Sequence, residues 1–349
     1  MKQFNIAILG ATGAVGREML KVLEEYDFPV GELRPLASAR SAGSTVPFKG
    51  KDYPVQEATE NSFEGMDFVL GAVGGGMAKK FAPHIVRAGA VFVDNSSSFR
   101  LDPEVPLIIP EVNGADAFKN KGIIANPNCS TIITLMAVAA INQISPIEKM
   151  VAATYQAVSG AGQAGLVELE SQMEALSKGE EIERKTFPHQ IACNVIPHIG
   201  DVLENGYTAE EMKMQNEGRK ILHLPDLRVS CTCVRVPVMR SHSISVTLKT
   251  REKVTVEQAN AAIAAFPGCK LVTDFEGRDY PTPLDTSDQD LVWVGRVRED
   301  LTCDTGLNLW CCGDQVRKGA AANAVQILQL LAKFDAIKTK FKLEPPLNR

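Results

Sequence analysis

The chain has 349 residues, of which 45% are hydrophobic and 23% charged, and its formal net charge is -5. This length exceeds that of one ordinary hydrophobic core and predicts two domains. The weak acidity and the lack of a basic block argue against nucleic-acid binding, and no apolar run reaches membrane-spanning length. We therefore expect a cytoplasmic protein that acts on small molecules, whose eight irregularly spaced cysteines are reduced thiols rather than a disulfide or zinc framework.

A strand, a glycine-rich turn and a helix open the chain. Residues 4–9 are rich in β-forming residues, residues 10–16 read GATGAVG, and a helical pattern follows from Arg17. Glycines allow the backbone to approach a pyrophosphate closely, and the free amides of a helix start bind its charge. The arrangement predicts a dinucleotide site, and the alternative is a purely structural turn.

The second strand candidate indicates which dinucleotide is bound. Residues 32–37 end in Ser38-Ala39-Arg40-Ser41. A site selective for NAD usually has an acidic residue here to bind the ribose hydroxyls, whereas a guanidinium suits the 2′-phosphate of NADP. The sequence therefore favours NADP, and the alternative is that Arg40 is a solvated surface residue.

Two further buried-strand patterns, residues 66–73 and 90–93, are separated by helical segments and end in small or polar residues. Strands that alternate with helices in this way predict a Rossmann-type, doubly wound parallel sheet with ligands at the carboxyl ends of its strands. Arg100 follows the second of these patterns. It is a candidate for binding an anionic substrate, and the alternative is an ordinary surface arginine.

A cysteine lies at a predicted junction between a strand and a helix. Residues 122–125 form an apolar run, residues 132–141 form an apolar helix, and Cys129 lies in the polar turn between them. The first amides of a helix carry partial positive charge, which stabilises a thiolate and lowers the pKa of a cysteine. Cys129 is therefore a candidate nucleophile, and the alternative is a small buried apolar residue.

Beyond this helix the pattern becomes α+β. A strand candidate over residues 150–158 contains Gln156, and a capping-box pattern at Thr208 and Glu211 opens a helix. That helix carries Glu217 and Lys220 on one face. Alternating patterns predict the strands of a mainly antiparallel sheet, over residues 229–237, 243–249, 291–297 and 305–311.

We expect two domains, of which the first binds NADP and the second carries the catalytic residues. The first comprises residues 1–128 and is completed by a C-terminal helix at about 316–349, within which residues 320–334 are rich in Ala and Leu. The second comprises residues 129–315. Arg235 and His242 flank a connection between two of its predicted strands.

Several motifs, in order along nearly the whole chain, resemble the aspartate-β-semialdehyde dehydrogenase family. They are GATGAVG at 10–16, NPNCSTI at 126–132, QAVSGAG at 156–162, CNVIPHIG at 193–200, RVPV at 235–238 and SHSISV at 241–246. The resemblance implies an α/β architecture like that of glyceraldehyde-3-phosphate dehydrogenase. It also implies reduction of aspartyl β-phosphate by NADPH to aspartate β-semialdehyde and phosphate, on the path to lysine, threonine and methionine.

The resemblance further implies roles for individual residues, without a metal. Cys129 would form an acyl thioester, His242 would be the acid/base, and Gln156 would orient the acyl group. Independently of the resemblance, the chemistry predicts that amides near the start of the Cys129 helix stabilise the oxyanion. The substrate and phosphate would be bound by Arg100, Asn128, Glu217, Lys220 and Arg235, with Arg235 on the α-carboxylate, Glu217 on the α-amino group, and Arg100 and Lys220 on phosphate. The NADP contacts would be Gly10, Thr12, Gly13, Ala14, Val15, Arg40, Ser41, Ser159, Gly160 and Gln315.

Three alternatives to this assignment are disfavoured by the sequence. N-acetyl-γ-glutamyl-phosphate reductase usually has glycine before its cysteine, where this chain has Asn128, and the alanine-serine-cysteine-threonine run of glyceraldehyde-3-phosphate dehydrogenase is absent. A non-catalytic NADP-binding paralogue or thiol redox sensor would not require His242. One departure from the family is Ser241, where glycine is common. The resemblance also implies a homodimer through the second domain, or a dimer of dimers.

Overall fold

The computed structural model describes residues 2–274 and 276–333. The chain forms two compact units, which we call the first unit, Met1–Pro127 with Ala320–Arg349, and the second unit, Asn128–Gly319. The domain limits expected from the sequence, 1–128 with 316–349 and 129–315, stay a prediction. Residues 334–349 of the expected C-terminal helix lie outside the described residues.

A six-stranded parallel sheet forms the centre of the first unit, with a separate two-stranded sheet. The strands are β1 (Phe4–Leu9), β2 (Val30–Ala37), β3 (Thr45–Phe48), β4 (Lys51–Pro54), β5 (Gln56–Glu57), β6 (Phe68–Gly71), β7 (Val91–Asp94) and β8 (Ile123–Ala125). The helices are α1 (Ala14–Glu25), α2 (Gly75–Arg87) and α3 (Pro110–Asn113), followed by a 3-10 turn at Gly114–Lys119. Strands β3 and β4 form the two-stranded sheet.

The order of the large sheet is β5-β2-β1-β6-β7-β8, so the chain moves to one side of β1 and later returns to its other side. This confirms the predicted doubly wound parallel sheet. Gly10 follows β1 with φ +92, and a Cβ there would lie 2.4 Å from the carbonyl oxygen of Ala72, which follows β6. Only glycine therefore fits at the point where the strand order reverses, which is where ligands bind in such sheets.

The second unit is built on a different sheet. Its strands are β9 (Ile147–Gln156), β10 (Arg228–Arg235), β11 (His242–Thr250), β12 (Cys269–Val272), β13 (Val292–Glu299) and β14 (Gly306–Gly313). Its helices are α4 (Cys129–Ile144), α5 (Gln163–Lys178), α6 (Ala209–Ile221), α7 (Val256–Ala265) and α8 (Pro283–Thr286), with a 3-10 turn at Val158–Ala161. The predicted capping box is confirmed, since Thr208 and Glu211 exchange hydrogen bonds at the start of α6.

The strand order in this sheet is β10-β9-β11-β14-β13-β12. Three neighbouring pairs are antiparallel, which confirms the mainly antiparallel sheet, while β9–β10 and β12–β13 are parallel. The expectation that β10 joins the antiparallel part is wrong. Helices α5 and α6 intervene between β9 and β10, and a long helical connection allows two strands to run parallel. Alternation in a sequence reveals a half-buried strand but not its partner.

Helix α4 is the core helix of the second unit. Every residue from Ser130 to Ile141 is buried, and the helix packs against β11, β13, β14, α6 and α7. Some apolar residues of the sheet are not covered in this way: Val151 and Tyr155 on β9 are 58% and 38% exposed. A helix that is apolar on all sides fits such a central position.

The last described helix, α9 (Ala322–Lys333), belongs to the first unit and packs on α1 and α3. Val325, Leu328 and Leu331 lie in the same apolar cluster as residues of β1 and α1. The apolar face predicted for this segment is thus buried, and Phe334, its predicted end, lies outside the described residues. No helix within residues 2–274 and 276–333 is both long and apolar enough to cross a membrane.

Candidate active site

Strand ends bring the predicted catalytic residues to one edge of the second unit's sheet. Strand β9 ends at Gln156, which is in register with Arg235 at the end of the parallel strand β10. Strand β11 runs antiparallel to β9 and begins at His242, whose partner is Gly313 at the end of β14. Gln156, Arg235 and His242 therefore share one edge although they are far apart in the sequence.

Cys129 is the first residue of α4, as its predicted position at a helix start requires. Its Sγ lies 3.5 Å from Nε2 of His242. The preceding residue, Asn128, is the N-cap, and its Oδ1 accepts hydrogen bonds from the amides of Ser130 and Thr131. These two amides already have a partner within the helix cap, so we do not assign them to the oxyanion. The partial positive charge of the helix start remains available to a thiolate.

The ring of His242 is fully buried, and a backbone amide fixes its tautomer. Its Nδ1 lies 3.1 Å from the amide nitrogen of Ala157, which can only donate. Nδ1 is therefore the acceptor, and a neutral ring carries its proton on Nε2, which faces Sγ of Cys129. Burial and the nearby positive charge of Arg235 lower the pKa of His242 from 6.5 to about 3, against the opposing effect of Glu210.

This neutral histidine predicts a pH-dependent stability. Below about pH 6.5 the unfolded chain binds a proton at His242 that the folded chain does not bind until about pH 3, so the free energy of unfolding falls as the pH drops through that range. Between about pH 7 and pH 5 we expect wild type to lose about 2 kcal/mol more than His242→Asn. Urea unfolding of both proteins at the two pH values measures this difference, and equal losses would contradict a buried neutral His242.

Arg235 is buried next to a glycine that leaves room for it. Its Nη1 donates to the carbonyl oxygen of Ala157 at 2.7 Å. A Cβ on Gly160 would lie 2.6 Å from the same Nη1 and 3.3 Å from Cε1 of His242. A side chain at Gly160 would therefore displace the Arg235 guanidinium or crowd the His242 ring.

Two carboxylates of the second unit contact Asn128. Glu217 is 1% exposed, and its Oε2 accepts the amide of Asn128 at 2.7 Å. Glu210 accepts hydrogen bonds from Asn128 Nδ2 at 2.9 Å, from Lys213 Nζ at 2.7 Å and from Gln156 Nε2 at 3.4 Å. Lys220 lies on the same helix, α6, one turn beyond Glu217.

Glu210 is a residue that the sequence reasoning missed. It lies in the first turn of α6, where acidic residues commonly stabilise the helix start, so its pattern contained no functional signal. The amide of Ala157 was also missed, because backbone donors leave no trace in a sequence.

The loop before His242 is held in an unusual conformation. Ser241 has φ +73, a left-handed value that costs a residue with a Cβ roughly 1–2 kcal/mol and costs glycine little. Its amide donates to Oε1 of Gln315 at 2.8 Å, and its hydroxyl lies 3.2 Å from that of Ser287. Nε2 of the same Gln315 side chain donates to the hydroxyl of Ser159. The backbone conformation explains why glycine suits this position, and the hydrogen bonds show how serine is accommodated.

The first unit holds the remaining predicted residues. Thr12, Ala14 and Val15 lie around the start of α1, whose N-cap, Gly13, provides no side-chain hydrogen bond. A Cβ on Gly16 would lie 2.2 Å from the carbonyl oxygen of Gly10, so the turn is tight, and its residues fit the predicted pyrophosphate of a dinucleotide.

Three polar residues predicted for the cofactor or phosphate also belong to the first unit. Arg40 and Ser41 follow β2, and Arg40 is exposed. Arg100 is buried and donates to the carbonyl oxygens of Asn126 and Asn95, both at 2.9 Å. The structure therefore groups Cys129, His242, Gln156, Asn128, Glu217, Lys220, Arg235, Ser159, Gly160 and Gln315 in the second unit, and the other predicted residues in the first.

Comparison with protein families matches both units. Residues 5–120 match the family described as semialdehyde dehydrogenase, NAD binding domain, and residues 138–318 match semialdehyde dehydrogenase, dimerisation domain. The chain belongs to the semialdehyde dehydrogenase family. Membership confirms the resemblance found in the sequence, the fold class and the prediction of a nicotinamide-dependent oxidoreductase.

Individual relatives of this semialdehyde dehydrogenase have a more specific name than the family does. Aspartate-semialdehyde dehydrogenase from Synechocystis sp. is 48% identical over 328 residues, 94% of this chain and 97% of the relative. The enzyme of the same name from Aquifex aeolicus is 47% identical, and the match covers 95% of this chain and 98% of the Aquifex protein. The structure of aspartate semialdehyde dehydrogenase II complexed with ASA from Vibrio cholerae is 46% identical, with a TM-score of 0.91 over 95% of this chain and 99% of that chain.

Proposed function

We propose that the chain catalyses the NADPH-dependent reductive dephosphorylation of L-aspartyl-4-phosphate to L-aspartate-4-semialdehyde and phosphate. The observation that carries the proposal is the separation of 3.5 Å between Cys129 Sγ, at a helix start, and Nε2 of a His242 ring whose tautomer is fixed. The names of the relatives support the choice of substrate. The reaction belongs to the biosynthesis of lysine, threonine and methionine.

The first half-reaction makes a thioester on Cys129. The Cys129 thiol loses its proton to solvent, and the resulting thiolate attacks the acyl carbon of the substrate. The carbon–oxygen bond to phosphate then breaks, and phosphate leaves with the electron pair. Nε2–H of His242 donates a hydrogen bond toward Sγ and stabilises the thiolate before attack. We assign Arg100 and Lys220 to the leaving phosphate, because cations stabilise its developing charge.

The second half-reaction reduces the thioester. When bound, NADPH would supply a hydride to the thioester carbon. Nε2–H of His242 then stabilises the oxyanion of the resulting thiohemiacetal, and collapse of that intermediate expels the Cys129 thiolate and releases the aldehyde. In the observed tautomer His242 acts as a hydrogen-bond donor. To act as the predicted acid/base, it would have to give up its bond from Ala157, because a protonated Nδ1 cannot accept.

The acidic groups next to Asn128 favour an aspartyl substrate over an N-acetylated glutamyl one. A free α-ammonium matches the carboxylates of Glu217 and Glu210, whereas an N-acetyl group offers them no positive charge. Arg235 has a planar guanidinium that suits the α-carboxylate. Gln156 would hold the acyl group.

The cofactor is proposed to be NADP, bound by the glycine turn and by Arg40 and Ser41, with Ser159, Gly160 and Gln315 as further contacts. An exposed guanidinium at the end of β2, without an acidic residue there, supports the 2′-phosphate. We expect Arg40→Ala to lower kcat/KM for NADP about 10- to 100-fold, the size of one lost charged hydrogen bond, and to change that for NAD less than about 3-fold.

Steady-state kinetics with both cofactors measure this effect. Arg87→Ala is a matched control, since it removes an exposed arginine from the end of α2 in the same unit. Equal losses for NADP and NAD in Arg40→Ala would reject Arg40 as the discriminating residue.

We propose a homodimer or a dimer of dimers, formed through the second unit. Its family description as a dimerisation domain and the exposed apolar side chains Val151 and Tyr155 support this assembly. Sedimentation equilibrium distinguishes it from a monomer.

A cytosolic location is proposed as well, because a charged cofactor and a phosphorylated substrate do not cross membranes. Fractionation of cells would test this location.

A substrate panel tests the proposed reaction. Wild-type protein is assayed in the oxidative direction with aspartate semialdehyde or N-acetylglutamate semialdehyde, with NADP or NAD, and with or without phosphate. We expect rapid turnover only with aspartate semialdehyde, NADP and phosphate together. Preference for the N-acetylated aldehyde would instead support N-acetyl-γ-glutamyl-phosphate reductase, and no turnover with either would support a non-catalytic protein.

A further inference from the structure

Helix α5 buries two polar side chains, one turn apart, that the proposed mechanism does not use. Glu168 is 5% exposed and Gln172 is 1% exposed. Both contact residues 183–192, a segment that follows α5 and that we call the support loop. Buried polar groups require partners, and these two side chains bind the backbone of the support loop.

Glu168 binds the backbone of the support loop. It accepts hydrogen bonds from the amides of Lys185 at 3.1 Å, Thr186 and Phe187 at 3.4 Å, and from Nε2 of Gln172 at 3.1 Å. Burial raises the pKa of the Glu168 carboxyl, but hydrogen bonds from the backbone and side chain of Thr186 and from the amides of Lys185 and Phe187 outweigh burial and leave the pKa below its ordinary value. An ionised carboxylate, which only accepts, is the group that converging amides require.

Gln172 binds the other end of the same loop. Its Oε1 accepts the amides of Ile191 at 2.9 Å and Ala192 at 3.1 Å, while its Nε2 donates to the carbonyl oxygen of Glu183 at 3.0 Å. The side-chain oxygen of Gln172 thus accepts hydrogen bonds from the loop, and its side-chain nitrogen donates to the loop. Glu168 and Gln172 together fix the loop from its beginning to its end.

The support loop places one aromatic ring against the arginine of the site. Phe187 packs in a small apolar cluster that contains Val158, Leu169 and Ile196. Its ring centre lies 5.9 Å from Cζ of Arg235, within the range of a cation–π contact. The segment just beyond the loop is also tied to this arginine, since Ile196 and Arg235 exchange backbone hydrogen bonds of 2.9 and 2.8 Å.

These contacts restrict how the guanidinium can rotate. Phe187 contacts it at one side, and Nη1 is bound to the carbonyl oxygen of Ala157. A planar guanidinium recognises a carboxylate through two parallel hydrogen bonds only when its plane is correctly oriented. The aromatic ring and the hydrogen-bonded Nη1 together restrict the orientation of that plane.

We propose that Phe187, held by Glu168 and Gln172 through the support loop, is a positioning residue that orients Arg235 for the α-carboxylate of the substrate. The inference rests on the proposed function. Phe187, Glu168 and Gln172, which do not contact the reacting groups, would thus contribute to the selectivity for a substrate with an α-carboxylate.

The test separates this effect from general damage by measuring each Michaelis constant. For Phe187→Leu we expect KM for aspartate semialdehyde to rise about 3- to 30-fold, the size of a desolvated cation–π contact, while kcat and the KM values for phosphate and NADP change less than about 3-fold. Phe187→Met, which fills the cluster with a flexible side chain and no ring, should give the same pattern.

A double-mutant cycle links the effect to Arg235. Lysine retains the charge but has no plane to orient, so Phe187→Leu should raise KM in wild type but add less than about 2-fold in the Arg235→Lys background. Additive effects, an unchanged KM in both Phe187 variants, or equal losses in all kinetic constants would each overturn the proposal. Wild type that fails to turn over aspartate semialdehyde would reject the proposed function instead.

The buried carboxylate supplies an independent measurement. Glu168→Gln replaces one accepting oxygen by a donor that faces backbone amides, so we expect the amides of Thr186 and Phe187 to exchange hydrogen faster and KM for the aldehyde to rise as in Phe187→Leu. Glu170→Gln is the matched control, because Glu170 is exposed on the same helix. Faster exchange without a change in KM would show that the loop is only structural and would contradict the proposal.

Discussion

Cys129→Ser is expected to lower turnover of aspartate semialdehyde at least about 10³-fold, to the detection limit of a steady-state assay. The serine hydroxyl has nearly the same size, but it does not ionise at neutral pH. The helix start and Nε2–H of His242, which stabilise a thiolate at this position, therefore have no anion to stabilise. Phosphate-dependent reduction of NADP, followed by absorbance, measures the loss.

Cys303→Ser is the matched control for this substitution. Cys303 is also a half-buried free thiol of the second unit, and its Sγ lies 3.8 Å from the hydroxyl of the neighbouring Thr305. We expect it to retain activity within about 3-fold of wild type. Robust turnover by Cys129→Ser would reject the thioester route.

His242→Asn is expected to lower kcat by about two to four orders of magnitude, the range observed when a catalytic acid/base or an oxyanion donor is lost. Asparagine places its side-chain oxygen near the position of Nδ1, where it can still accept from the amide of Ala157. Its shorter side chain does not reach the position of Nε2. Steady-state kinetics measure the change, and an effect confined to KM would make His242 a binding residue.

A second substitution at the same position separates the two roles of His242. Glutamine can place an amide N–H near the position of Nε2, so it can donate a hydrogen bond but cannot transfer a proton. If donation is the main role, as the tautomer indicates, His242→Gln retains at least about 10-fold more activity than His242→Asn. Equal losses in the two variants would show that proton transfer dominates.

Some features were readable from the sequence because they depend on local patterns. The glycine turn predicted the end of β1 and the start of α1, since only glycine fits the close approach of Gly10 to Ala72. The capping box at Thr208 and the position of Cys129 at a helix start follow in the same way from short-range hydrogen-bonding rules. The motifs shared with the semialdehyde dehydrogenase family supplied the reaction.

Other features depend on strand pairing, which periodicity does not encode. The alternation of residues 229–237 predicted a strand but not that β10 would lie parallel to β9, and it is this register that places Arg235 beside Gln156. The tautomer of His242 depends on the amide of Ala157, a backbone group without a sequence signature. Glu210 and Phe187 were missed because an acid in a first helical turn and an apolar residue in a loop are ordinary.

The central claim is that Cys129 carries the acyl group, and a single-turnover experiment without phosphate tests it most directly. Wild-type protein mixed with aspartate semialdehyde and NADP should release about one NADPH per active site in a burst and stop, because the thioester has no phosphate to attack it. Mass spectrometry should then find the acyl group on the peptide that contains Cys129, and added phosphate should remove it and restart turnover. A burst without an adduct on Cys129, or an adduct that phosphate does not release, would contradict the account.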